Sequence, residues 1–253
     1  MRLFTWNVNG LRAVAKKGFL EWLSDAQPDV LCIQEMKANP EQLDDELRDP
    51  VGYHTAWAPA DKKGYSGVTT WSRTAPDEVR IGLGDPQFDS EGRTIITRHG
   101  DFVLINGYFP NGQRDHARVP FKLDYYALLL ETCEAYRAQG LHVVVCGDWN
   151  TSHTPLDIRN DKANKNTTGF LEPERAWIDR FLAAGYVDVW RRLNPDAEVY
   201  SWWSSRFGVR EKNIGWRLDY HVVDEALYPR VHDARIHTAV LGSDHCPVEL
   251  VLA

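Results

Sequence analysis

Apolar residues recur along this chain in two rhythms, one of period two and one of helical period, and the rhythms alternate. Leu3 to Val8 reads as a strand that ends in Asn7-Val8-Asn9-Gly10. Lys16 to Ala26 then sets Phe19, Leu20 and Leu23 at helical spacing, and Pro28-Asp29 breaks the pattern. Asp29 to Glu35 is a second buried strand, and it closes on a carboxylate. A β-α-β opening of this kind brings the ends of its two strands together, so Asn7 and Glu35 are expected side by side. From Tyr53 to Tyr108 the pattern changes to short strands divided by Gly, Pro and Asp: Tyr53–Trp57, Gly67–Ser72, Glu78–Ile81, Thr94–Arg98 and Phe102–Tyr108. Such spacing predicts antiparallel sheet. Pro120 to Gln139 is the longest predicted helix, stopped by Gly140, and the β-branched run Val143-Val144-Val145 follows as a buried strand. After a long polar connection (Thr151 to Gly169), a helix is expected from Glu172 through Ala184. Strands are expected at Val187–Arg191, Val199–Trp203, Trp216–Val223, Ala234–Thr238 and Val248–Leu252. No repeat or linker divides the pattern, which predicts one domain over residues 1–253, with two antiparallel-rich sheets packed together and helices outside.

Composition narrows the class. Hydrophobic residues make up 43% and charged residues 26%, the balance of a soluble globular enzyme. Neither a signal-like leader nor an apolar run of membrane-spanning length is seen, so a cytosolic protein is expected, with no membrane partner. Cys32, Cys133, Cys146 and Cys246 are far apart and form no CxxC pair, which argues against a zinc site or a disulfide framework. The net charge of −7 offers no global attraction to nucleic acid. Local clusters run the other way: Arg159, Lys162 and Lys165 form one, and Arg206, Arg210, Lys212 and Arg217 another. On composition alone each cluster is as compatible with a solvated face as with a phosphate-binding one.

The chemistry gathers at strand ends. The Val143 strand stops at Gly147-Asp148-Trp149-Asn150, and a carboxylate and a carboxamide two apart point to the same side of an extended chain. A turn capping a core strand would account for Gly-Asp-x-Asn taken alone. Asn7, Glu35, Tyr108, Asp219, Asp244 and His245, however, occupy similar strand-end positions. Trp216-Arg217-Leu218-Asp219-Tyr220-His221 alternates strictly, which turns Arg217, Asp219 and His221 to one face. His245 follows a carboxylate, and Asp219 could fix its tautomer. Several carboxylates and amides with one histidine and no thiolate ligand suit a hard cation such as Mg²⁺, bound through oxygen with a substrate phosphate. Phosphoester hydrolysis is the reaction class that follows.

Six segments, in order along nearly the whole chain, carry a resemblance. They are Trp-Asn-Val-Asn-Gly-Leu-Arg, Leu-Cys-Ile-Gln-Glu, Asn-Gly-Tyr-Phe-Pro-Asn-Gly, Gly-Asp-Trp-Asn, Asn-Ile-Gly-Trp-Arg-Leu-Asp-Tyr and Ser-Asp-His-Cys-Pro. Together the sequence resembles the exonuclease III family of DNA-repair nucleases. The resemblance implies a four-layered α/β/β/α sandwich with two mostly antiparallel mixed sheets. It implies Mg²⁺-dependent cleavage of duplex DNA 5′ to abasic sites, with Mn²⁺ as a substitute, and also 3′-phosphodiesterase, 3′-phosphatase and 3′→5′ exonuclease activities on blocked 3′ ends, by a monomer. By resemblance Glu35 is the main metal ligand, with Asn7 beside it, and Asp148, Asn150, Asp244 and His245 complete the expected metal set. Tyr108 contacts the scissile phosphate, Asp148 positions or deprotonates the attacking water with Asn150 as its partner amide, and Asp219 orients His245 as base or as cationic phosphate clamp. Trp202, Trp216 and Leu218 match a pocket for a flipped-out abasic sugar, where a core role is the alternative for tryptophans in strands. Asn111, Asn164, Lys165 and Arg210 match DNA-binding positions, with Arg159 to Thr168 as a backbone-contacting loop. Two departures stand out. Position 149 is Trp where relatives carry a smaller apolar residue, and position 9 is Asn where others have Asp. Competing readings are a relative acting on other phosphoesters, against which the aromatic pocket and Asn-rich loop argue, and a silent nucleic-acid-binding protein. Glu35, Asp148, Asp219 and His245, all present, argue against the second.

Overall fold

In the computed structural model, which describes residues 1–206 and 208–253, the apolar runs pair into two six-stranded sheets and one short ribbon. The first sheet is built from β1 (Arg2–Asn7), β2 (Val30–Gln34), β3 (His54–Ala58), β4 (Val68–Ser72), β13 (Val231–Ile236) and β14 (Val248–Leu252). Its strand order is β13-β14-β1-β2-β4-β3, and only β1 and β2 run parallel. The second uses β5 (Glu78–Ile81), β6 (Thr94–His99), β7 (Phe102–Tyr108), β8 (His142–Asp148), β9 (Tyr186–Asp188) and β12 (Asp219–Asp224). Its order is β5-β6-β7-β8-β12-β9, and only β7 and β8 run parallel. The ribbon pairs β10 (Trp202–Trp203) with β11 (Gly215–Trp216).

Alternation along these strands assigns each side chain to a layer. Leu3, Cys32, Leu104, Val144, Val223 and Leu250 fill the space between the sheets. Phe4, Trp6, Leu31 and Ile33 face the opposite way, onto α1 (Leu11–Ala15) and α2 (Phe19–Ala26) through Val14, Phe19 and Leu23. On the far side Val143, Val145, Tyr220 and Val222 meet Tyr125 and Leu129 of the long helix Val119–Arg137 and Ile178 and Phe181 of the helix Glu172–Ala183. The layers therefore run helix, sheet, sheet, helix. Trp149 closes the second outer layer. It is fully buried, stacked on Phe109 at 4.5 Å between ring centroids, and meets Phe181 edge-on. The larger residue at this position works as packing behind the site.

Four expected strands differ. Ala234–Thr238 is shifted to Val231–Ile236. Val187–Arg191 is a strand only to Asp188, whose carboxylate accepts from the Arg191 backbone N–H and starts a short helix, Val189–Leu193. Val199–Trp203 shrinks to Trp202–Trp203. Trp216–Val223 is broken after Trp216, because Arg217 leaves the alternation for a fully buried ion cluster: Nε to Asp157 Oδ1 at 2.7 Å and Nη2 to Asp188 Oδ2 at 2.6 Å. Burial works against the Asp157 carboxyl, but Arg217 and Arg191 outweigh it and hold its pKa well below the ordinary range. Among the described residues no helix is long and apolar enough to cross a membrane, and all four cysteines are buried and free.

Candidate active site

Each sheet contributes one parallel pair, and both pairs end at the same rim of the sandwich. Asn7 ends β1 and Glu35 follows β2; Tyr108 ends β7 and Asp148 ends β8. Asp219 pairs directly across from Asp148 as β12 begins, and Asp244-His245 enters just before β14. Glycine makes the convergence feasible. Gly147 pairs with Gly107 at φ +137°, and a Cβ on it would lie 1.8 Å from the Gly107 carbonyl oxygen. Glu35 and Asn150 stand at φ 52° and 50°, a conformation that non-glycine residues hold only where surrounding contacts impose it.

One amide joins the sheets. Asn7 Nδ2 donates to Glu35 Oε1 and to Asp148 Oδ2, both at 2.9 Å. Tyr108 Oη donates to Glu35 Oε1 at 2.8 Å, and its ring and carbonyl rest on the buried Arg93 guanidinium, 4.8 Å from the ring centroid. Asp148 Oδ1 accepts the Asn150 backbone N–H at 2.8 Å. His245 Nε2 lies 3.8 Å from Asp148 Oδ2, and its Nδ1 meets Asp219 Oδ2 at 2.9 Å. Ser201 Oγ donates to that same Asp219 oxygen at 2.6 Å.

These contacts set the charges. Burial lowers the His245 imidazole, but the carboxylates of Asp219, Asp148 and Asp244 outweigh it and push its pKa up to about 10, so the ring is a cation at neutral pH. Burial raises Asp148 to about 7, against the pull of His245. For Glu35 burial is outweighed by Lys37 and by hydrogen bonds from Asn7, Lys37 and Tyr108, and its pKa lies below the ordinary value. Tyr108 is raised well above its usual range by burial and the neighbouring carboxylates, which keeps it a neutral donor.

In front of these groups lies a cavity of about 410 Å³. Glu35, Tyr108, Asp148, Asn150 and His245 form its floor, and Trp202, Trp216, Leu218 and Gly169 its walls. The two indoles meet edge to face, 6.1 Å between centroids, and are half-buried, so they line an opening rather than the core.

The model for the Endonuclease/Exonuclease/phosphatase family matches residues 4–245. The chain belongs to that family. It is 43% identical over 254 residues to the exodeoxyribonuclease of Bacillus subtilis (strain 168), covering 100% of this chain and 99% of the relative. It is 40% identical over 260 residues to the DNA repair nuclease APEX1 of Danio rerio, covering 100% and 82%. Among solved structures, the AP endonuclease of Archaeoglobus fulgidus superposes with a TM-score of 0.88 at 29% identity, covering 100% and 99%. The 3′-5′ exonuclease NExo of Neisseria meningitidis superposes at 0.91 and 28% identity, with the same coverage.

Within this family member, the donors suit a hard cation. Glu35 Oε2 is partly exposed to the cavity and is met by the Lys37 ammonium at 2.6 Å, a positive charge already drawn to that oxygen. Glu35 with Asn7 and Asp148 would hold an oxygen-preferring ion. Several expected ligands also make protein contacts. Asp148, Asp219 and His245 offer atoms within 4.8 Å of one another, with His245 Nδ1 meeting Asp219, and Asn7 Oδ1 accepts the Asn9 backbone N–H at 3.0 Å. Asn150 Oδ1 accepts from Asn111 Nδ2 at 3.0 Å, and its Nδ2 donates to the Phe109 carbonyl at 2.9 Å. Asp244 accepts from Asn9 Nδ2 at 3.0 Å and from Trp202 Nε1 at 3.1 Å, so its carboxylate anchors a pocket wall.

The expected DNA-binding positions divide. Asn111 reaches the cavity. Asn164 Nδ2 caps the Asn160 carbonyl in the turn Asp161–Asn164, with Lys165 exposed beside it, outside the cavity lining. The Arg210 guanidinium donates to the carbonyls of Ser243, Thr238 and Val240 and stacks over Trp203 at 4.4 Å, which braces the loop before His245. Sequence reasoning missed Lys37, Ser201, Arg93 and the cavity-lining Arg114. The only signal for any of them was the position of Lys37, two residues beyond the Glu35 strand end.

Proposed function

We propose that this chain is a DNA-repair nuclease that uses Mg²⁺, or Mn²⁺ in its place, to cleave duplex DNA 5′ to abasic sites, and that the same groups process blocked 3′ ends. The single observation that supports it most is a buried carboxylate with a pKa raised to about 7, beside a cationic imidazole, at the floor of an aromatic-walled cavity. The relatives named for DNA repair and for AP endonuclease activity support the substrate class.

Asp148 is the base of the reaction. At neutral pH it is ionised in a large fraction and basic enough to take the proton of a water held by its carboxylate and the Asn150 amide. His245 presents its Nε2–H to the charge that grows on the phosphoryl oxygens as the water attacks, and Tyr108, whose O–H is held by Glu35 at 2.8 Å, joins it by turning that O–H to the phosphate when substrate enters. Asp219 and Ser201 keep the imidazole oriented and charged. A divalent ion held by Glu35, Asn7 and Asp148 would polarise the phosphoryl group further. The cavity walls admit a deoxyribose without its base and exclude a stacked nucleotide, so the lesion must be flipped out to reach the carboxylate.

The test is a duplex oligonucleotide with one stable abasic analogue, incubated with Mg²⁺ or EDTA, beside an intact duplex with a recessed 3′ end. A Mg²⁺-dependent cut 5′ to the analogue is expected. Fast trimming of the recessed end with the analogue left whole would overturn the pocket assignment of Trp202 and Trp216 and leave a 3′-end-processing enzyme.

A further inference from the structure

Behind the catalytic floor lies an ion pair that the chemistry above does not use. Lys122, on the helix Val119–Arg137, and Glu174, in the first turn of the helix Glu172–Ala183, are fully buried and meet at 2.7 Å. Taking two charges out of water is costly, and the attraction between them seldom offsets it by a wide margin, so stability alone is a poor account of such a pair. Their remaining hydrogen bonds go to the wall of the site. Lys122 Nζ donates to the Asn150 carbonyl oxygen at 2.6 Å. Glu174 Oε1 accepts from Thr168 Oγ1 at 3.0 Å, and its Oε2 accepts the backbone N–H of Gly169 at 2.6 Å and of Leu171 at 3.1 Å.

Both targets need holding. Asn150 stands at φ 50°, and its side chain faces Asp148. Gly169, at φ +90°, packs so closely that a Cβ would lie 3.0 Å from the Asn150 carbonyl oxygen and 3.1 Å from the Trp216 ring. A shift of the Gly169 wall therefore moves the indole, and a shift of the Asn150 carbonyl moves the amide beside the base. We propose that Lys122 and Glu174 are a positioning pair, which fixes the left-handed backbone of Asn150 and the Thr168–Gly169 wall and so sets both turnover and preference for abasic DNA. The inference rests on the nuclease reading above.

The experiment compares Lys122→Met, Glu174→Met and the double variant Lys122→Met/Glu174→Met with the intact protein. Its readouts are kcat and KM on the abasic-analogue duplex, 3′ trimming, and melting temperature. Each single variant strands a buried charge and melts earlier. The double variant removes both charges and recovers part of the melting temperature, since the Asn150 carbonyl and the Gly169 and Leu171 N–H groups still lack their partners. Its kcat is expected to stay roughly ten- to a hundredfold low, the scale of a misplacement near one ångström, with KM little changed. Recovery of turnover together with stability would overturn the proposal and leave the pair a folding element. Should the double variant not fold, Glu174→Gln decides, since it keeps the size and loses an acceptor at Gly169. It should lower the ratio of abasic cleavage to 3′ trimming, and an unchanged ratio overturns the proposal. If the intact protein cuts neither substrate, the nuclease reading fails first. The Asn150 amide resonance in Lys122→Met then decides the clamp, and an unmoved signal rejects it.

Discussion

Asp219→Asn asks whether His245 works as a cation. The substitution keeps the shape of the side chain that meets Nδ1 at 2.9 Å and removes the carboxylate that contributes most to raising the ring. A fall from about 10 to the ordinary value of ~6.5 would cost the protonated ring about 5 kcal/mol, at ~1.4 kcal/mol per pH unit. Asp148 remains 3.8 Å from Nε2 and continues to favour the cation, so roughly half of that, about 2–3 kcal/mol, is the working figure. A ring lowered by about two pH units is still mostly protonated at pH 7, so turnover there falls by less than about twofold; if the charge is felt in the transition state, the deficit reaches about tenfold near pH 9 and approaches a hundredfold above pH 10. The sign in pH follows. A less basic ring loses its proton as pH rises, so the deficit deepens in alkali. The folded pKa of His245 lies above its unfolded value, so its contribution to stability is complete below about pH 6.5 and is lost toward about pH 10. The melting-temperature gap between the two proteins should narrow over that range. Single-turnover cleavage of the abasic analogue, with a nitrogen-detected titration of the His245 ring, measures both sides. An intact-protein ring that titrates near pH 6.5, or a variant within about threefold of the normal rate at about pH 9.5, would refute the clamp.

Asp148→Asn should abolish turnover and spare DNA binding. In the intact protein kcat/KM should rise with pH through an ionisation at or below about 7, because the base acts only after losing its proton; a flat profile there would move the base elsewhere. Glu35→Ala should raise the Mg²⁺ concentration for half-maximal rate by at least roughly tenfold, and an unchanged requirement, or unchanged Mn²⁺ binding by paramagnetic resonance, would remove Glu35 from the ligand set. Trp216→Ala should depress abasic cleavage more than 3′ trimming, and equal losses would contradict a lesion-specific pocket. His221 is buried with neither ring nitrogen hydrogen-bonded, and burial depresses its pKa to about 3. Its folded pKa is below the unfolded one, so stability falls as pH drops from about 6.5, by about 2 kcal/mol at pH 5. Urea unfolding of His221→Phe should lack that share of the acid slope; identical slopes would show a partner for the ring.

The strands bracketed by turn residues were legible from the sequence, because Gly, Pro and Asp mark the ends of runs even where burial on both faces leaves no period of two. Glu78–Ile81, Phe102–Tyr108 and Val248–Leu252 have the bounds their pattern predicts. The break at Arg217 was not legible, since its cause is a pair of carboxylates, Asp157 and Asp188, remote in sequence. The same limit applies to the site. Asn7, Glu35, Asp148 and His245 announce themselves as polar groups at the ends of apolar runs. Ser201, Arg93 and Lys122 act through partners that only the packed chain brings near, and nothing local distinguishes them from ordinary surface residues. Arg210 reads in the sequence only as a member of a basic cluster, and its bonds to three carbonyls appear only in the packed chain.

The amide of Asn7 touches Glu35 in one sheet and Asp148 in the other. Neither sheet alone carries the proposed base, the carboxylate proposed to bind a cation and the amide that links them. A chain emerging from synthesis completes β1 and β2 early but reaches His245 only after β13, about two hundred residues later. Partly folded forms of such a protein are therefore inert toward phosphodiesters. Competence arrives with the last long-range closure of the sandwich, so an enzyme made to cut DNA stays harmless during its own assembly.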